Sequence, residues 1–130
     1  MSRKSKGINA ERDLVHKFWA TNSWCAIRIA GSGSMKYPSS DILASNRIRK
    51  LAIECKTSKE PVKYLTEEEL SQLKVFAGYF GAEPWIAVKF DGESWLFLNP
   101  EDIPKTANNY VITIETAKNK GLIFDELIEK

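Results

Sequence analysis

The stretch DILASNRIRKLAIECK, residues 41–56, constrains this chain more than any other. Two apolar runs of strand length flank a short polar turn around Asn46 and Arg47, which is the pattern of an antiparallel hairpin. The second run ends on charges, with Glu54 and Lys56 two residues apart and Cys55 between them. Side chains at i and i+2 of a strand share a face, so carboxylate and ammonium emerge side by side, roughly 6.6 Å apart along the strand. Cys55 points the other way. The hairpin also folds Asp41 back beside Glu54, and two carboxylates that close stay ionised only with a compensating cation.

The rest of the chain supplies covering elements. NAERDLVHKFWAT (9–21) has Leu14, Val15, Phe18 and Trp19 at helical spacing behind Asn9, a candidate cap. Glu11 sits at the end of that apolar stripe. CAIRIA (25–30) alternates as a strand with Arg28 opposed to Ile27 and Ile29, and GSGSMKYPSS follows as a loop. Thr66 and Glu69 form a capping box that opens a helix over 66–80, with Leu70, Leu73, Phe76, Ala77 and Phe80 on its apolar face. PWIAVKF and SWLFLNP, split by Asp91, Gly92 and Glu93, read as a second hairpin. YVITIE (110–115) is a further strand, and LIFDELIEK a terminal helix. This order predicts an α/β fold, one mixed sheet flanked by helices.

At 130 residues and 43% hydrophobic, the chain has material for one compact core, so a single domain over 1–130 is expected, with a basic arm at 1–7. No apolar stretch approaches the ~20 residues of a membrane span, and MSRKSKG is polar with no apolar segment behind it. The expected setting is cytoplasmic. Cys25 and Cys55 match no metal spacing and read as small reduced core residues. Net charge is only +2, but it is unevenly divided: residues 1–63 hold 13 Lys and Arg against 5 Asp and Glu, and the remainder 6 against 12. A basic half of this kind suits a polyanion, and nucleic acid is the commonest.

Asp41 and Glu54 are hard oxygen donors of the kind Mg²⁺ or Mn²⁺ accept alongside waters and phosphate oxygens. A divalent ion there polarises a phosphodiester, and Lys56 neutralises charge building on phosphorus. Taken alone, E-x-K is far more often an ordinary ion pair at a sheet edge.

The wider pattern goes further. PSSD, thirteen residues from Asp41 to Glu54, and then ECK resemble the PD-(D/E)xK nuclease core, although Ser40 stands where a proline often precedes the aspartate. KGINAERDLV and IRIAGSGS are similar to the archaeal Holliday junction resolvases, and the similarity is sharpest from Lys6 to Lys56. The resemblance implies a restriction-endonuclease-like fold and a nuclease that resolves four-way DNA junctions by paired symmetric nicks, with Mg²⁺ as cofactor. It implies Asp41, Glu54 and the Cys55 backbone carbonyl as metal ligands, with Glu11 joining directly or through water, Lys56 as the catalytic lysine, and Ser32 as a contributor to activity. A related nuclease acting on linear duplex and a DNA-binding module without catalysis are the competing readings.

Arg3, Lys4 and Lys6 in the arm, with Arg12, Arg28 and Lys36 around the site, are the expected phosphate contacts, and Arg12 and Arg28 match arginines the family uses on DNA. One site per chain cannot make two opposed nicks, so a two-fold homodimer is expected. The resemblance places Phe76 and Phe80 in its interface. Trp85, Trp95 and Phe97 are core or interface residues, and His16 is a helix residue with no base-like surroundings.

Overall fold

The computed structural model describes residues 3–31, 34 and 36–129; the side chains of Arg3 and Lys4, and Ser32 as a whole, lie outside the described residues. Helix α1 spans Arg3–Ala20, strands β1 and β2 span Cys25–Arg28 and Ile42–Ser45, and β3 spans Lys50–Ser58. After β4 (Val62–Leu65) come helix α2 (Glu67–Phe80), β5 (Glu83–Phe90), β6 (Leu96–Leu98), β7 (Tyr110–Thr113), α3 (Ile114–Lys120) and α4 (Phe124–Glu129). Five strands form one sheet in the order β1-β2-β3-β5-β6, which gives the main sheet the sequence predicts the strand order it left open. Strands β4 and β7 form a separate two-stranded sheet that the sequence does not predict. Contacts divide the chain into two compact units, residues 1–54 with 72–84 and residues 55–71 with 85–130.

In the first unit, β1–β2 and β2–β3 are antiparallel, with Arg28 opposite Ile42 and Ile42 opposite Ile53. Asn46 closes the β2–β3 turn, its Oδ1 accepting from the amides of Ile48 and Arg49 at 2.8 and 2.6 Å. Helix α1 packs on β1 and β2 through Leu14 and Phe18, one turn apart and fully buried. Each contributes about 1.5–3 kcal/mol of apolar burial. Two expectations need correction here. The helix begins at Arg3, so the basic start of the chain is helical, and Asn9 lies inside the helix instead of capping it. Nothing in RKSK breaks a helix, and Gly7 costs only about 1 kcal/mol. Trp19 leaves the stripe: it is 55% exposed, with its indole N–H donating to the Ala26 carbonyl at 2.9 Å.

Neither cysteine is in a disulfide, and neither is a core residue: Cys25 is exposed and Cys55 half-buried. Cys25 opens the edge strand β1, where alternate side chains face solvent.

In the second unit, β5 and β6 pair antiparallel with Ile86 opposite Leu98. Trp85, Trp95 and Phe97 are all buried, which makes them core. Helices α3 and α4 cover β6, and β4 pairs antiparallel with β7. Thr113 ends β7 and caps α3, its Oγ1 accepting from the Thr116 amide at 3.0 Å, so the segment expected as strand to residue 115 turns helical at Ile114.

Candidate active site

The hairpin delivers the first carboxylate. Ile42 is in register with Ile53, yet the Asp41 amide also donates to the Ile53 carbonyl, at 2.9 Å. Two consecutive residues thus face one, which is a β-bulge, a device that re-aims a side chain at a strand end. The Asp41 backbone therefore lies one peptide link from Glu54. Ser40 locks the approach: it is fully buried, and its Oγ donates to the Ile42 carbonyl at 3.0 Å. In the sequence Ser40 figured only as the residue in a proline's place. Its buried, satisfied hydroxyl gives it a structural reason of its own.

Glu11 and Arg28 form the next part. The Arg28 Nε donates to Glu11 Oε1 at 3.1 Å, with the two side chains only 20% and 18% exposed. Burial pushes the Glu11 carboxyl up from its usual range, Asp41 adds to that, and the charge and hydrogen bond of Arg28 oppose it. Glu11 thus feels Asp41 as a like charge. Arg28, expected as a phosphate contact, donates its Nε–H to this carboxylate.

Strand β3 carries Glu54 and Lys56 on one face with Cys55 on the other, by alternation. Lys56 Nζ pairs with Glu69 Oε2 in the first turn of α2. That partnership was not legible in the sequence; the only signal was that the last residue of the capping box, Glu69, is an acid.

Lys6, Arg12 and Lys36 are exposed. On α2, Phe76 and Phe80 stack at 5.5 Å between ring centroids, and Phe80 is 45% and Tyr79 92% exposed.

Among the described residues no three His, Cys, Asp or Glu side chains are gathered to cage a metal ion by themselves. Mg²⁺ does not require such a cage, since one or two carboxylates with waters and substrate phosphates serve it. Glu11, Asp41 and Glu54, which belong to one compact unit, are oxygen donors of the kind it accepts.

The fold is α/β and restriction-endonuclease-like, with Asp41 just ahead of β2 and Glu54 and Lys56 on β3. It superposes on the structure of Archaeoglobus fulgidus Hjc, described as a Holliday junction resolvase from an archaeal hyperthermophile, with a TM-score of 0.85 and 37% identity, covering 93% of this chain and 98% of that one. The family described as archaeal Holliday junction resolvase (Hjc) matches residues 2–130, and the chain belongs to that family. Relatives named crossover junction endodeoxyribonuclease Hjc include the A. fulgidus protein, 39% identical over 95% of both chains. The Methanocaldococcus jannaschii protein is 35% identical over 95% of this chain and 86% of its own.

Proposed function

We infer that this protein is an endodeoxyribonuclease that resolves four-way DNA junctions, acting as a homodimer in the cytoplasm. The observation that carries the reading is the bulged hairpin that seats Asp41 next to Glu54 in a chain of this family.

The reaction is hydrolysis. A water oxygen adds to phosphorus, the bond to the 3′ oxygen breaks, and that oxygen leaves with a proton, giving a 5′-phosphate and a 3′-hydroxyl. Asp41, Glu54, the Cys55 carbonyl and Glu11 would hold Mg²⁺, or Mn²⁺ in its place, which when bound polarises a phosphate oxygen and lowers the pKa of a water. Lys56 neutralises charge that builds on the phosphoryl oxygens. Arg28 holds Glu11 in place. Lys6, Arg12 and Lys36, with the basic start of α1, contact phosphates and position the DNA without reading bases. Two copies joined through the exposed Phe76–Phe80 face of α2 would supply the two opposed nicks.

Asp41→Asn tests the site. A labelled four-way junction and a matching linear duplex are incubated with each protein, with and without Mg²⁺. Wild type is expected to cut the junction in Mg²⁺ alone and to spare the linear duplex, whereas D41N binds the junction and does not cut. Cutting by D41N at the wild-type rate, or equal cutting of both DNAs by wild type, would refute the reading.

A further inference from the structure

Glu69 does two jobs with its two oxygens. Oε1 accepts from the Thr66 amide at 3.0 Å and from the Thr66 hydroxyl at 3.3 Å, while Thr66 Oγ1 accepts from the Glu69 amide at 3.0 Å. That is a closed capping box. Oε2 is turned to Lys56 on β3. Both residues belong to one compact unit, and their side chains are 18% and 36% exposed for Lys56 and Glu69.

The cap does not need the negative charge. Glutamine closes the same box, and the helix N-terminus already has Glu67 and Glu68 to meet its dipole. The charge at residue 69 instead answers the ammonium of Lys56. A lysine head on a flexible four-carbon stem has many places to go. A carboxylate clamped by its other oxygen to a helix start gives that head one place. An ammonium has three N–H donors, so one bond to Glu69 is compatible with donation to a phosphate oxygen.

We propose that Glu69 is a positioning residue for the reaction, anchoring the Lys56 ammonium from the α2 capping box so that it stands ready on β3 for the scissile phosphate. The inference rests on the assignment of Lys56 as the catalytic lysine.

Glu69→Gln separates the two jobs, because it keeps the cap and removes the charge. Under single-turnover conditions with saturating junction and Mg²⁺, E69Q is expected to cleave about 10- to 100-fold more slowly, the usual loss for a supporting partner of an active-site group. Its junction Kd should match wild type, and its Tm should fall by no more than a few degrees, the share of the lost charge pair. In K56Q the same change should cost nothing more, since a residue acting through Lys56 has no effect once Lys56 is gone. Labelling gives a readout independent of activity and of any variant's folding. In the wild-type protein, an amine-acetylating reagent followed by mass spectrometry should modify Lys56 at least tenfold more slowly than the exposed Lys59, and E69Q should narrow that gap. Equal labelling of Lys56 and Lys59 in wild type would overturn the proposal, as would additive losses in the double variant. E69Q cutting at the wild-type rate while K56Q is inactive would remove Glu69 and leave the Lys56 assignment standing. K56Q cutting at the wild-type rate would remove both.

Discussion

Single side chains in the two carboxylate groups titrate in opposite senses. Burial pushes the Glu69 carboxyl up, but the hydrogen bond and charge of Lys56 and the hydroxyl and amide of Thr66 outweigh it, and the net displacement is downward. A carboxyl whose folded pKa lies below its unfolded value of about 4.5 contributes stability that is present above that pH and lost as pH falls through the folded value. Wild type should therefore lose stability on acidification below about pH 5 more steeply than E69Q, in urea melts taken across that range. Parallel curves would show that the pair adds nothing to the fold. Glu11 runs the other way: burial and Asp41 raise it, so its contribution is full below the ordinary value and fades as pH rises through the folded one. Glu54 and Lys56 were legible as neighbours because strand periodicity sets one face for both, and Asp41 because the hairpin folds it back, although the bulge that carries it left no sequence signal. The tie between Lys56 and Glu69 was not legible. The capping box gives Glu69 a sufficient local reason to be acidic, and a contact thirteen residues away in sequence leaves no periodic trace.

Elements with a strong local signature appear where they are expected. The β2–β3 hairpin, α2 with its capping box, and β5–β6 all combine unambiguous periodicity with a turn or cap. The failures share a cause. Strand β4 is four residues long behind Pro61, too short for alternation to show, and it exists because β7 pairs with it, with Val62 opposite Thr113. Helix α3 starts in ITIET, whose β-branched residues favour a strand, and the Thr113 cap with packing on β6 and β7 overrides that preference. At the hairpin itself, Asn46 carries two backbone amides on one oxygen. Asn46→Ala leaves both without that partner and should cost about 1–2 kcal/mol, measured as a shift in urea midpoint at constant m. A loss within error would mean that the strands alone hold the turn. Because the same turn aligns Asp41 with Glu54, cleavage by N46A should fall with it.

For the whole molecule the issue is stoichiometry. The exposed aromatic face of α2, with Phe80 flanked by the Lys50 ammonium 5.6 Å from its ring, is the surface through which two copies would join. Phe80→Asp places a charge in that contact and should yield a folded monomer near 14.7 kDa by light scattering, where wild type is expected at twice that mass. On a junction, F80D should leave single nicks instead of paired ones. Wild-type mass and paired nicking in F80D would place the contact elsewhere.

The bulge at Asp41 also sets which end of the hairpin tolerates changes in length. Residues added ahead of Ser40 lengthen a connection that enters the ladder at a point already holding one unmatched residue, so the spacing between the aspartate and its neighbour across the hairpin is unchanged. A residue added between 46 and 49 must either loop out or slide one strand past the other by a step, and a one-step slide turns every side chain to the wrong side. Insertions in this lineage should therefore gather upstream of the aspartate and avoid the four-residue turn.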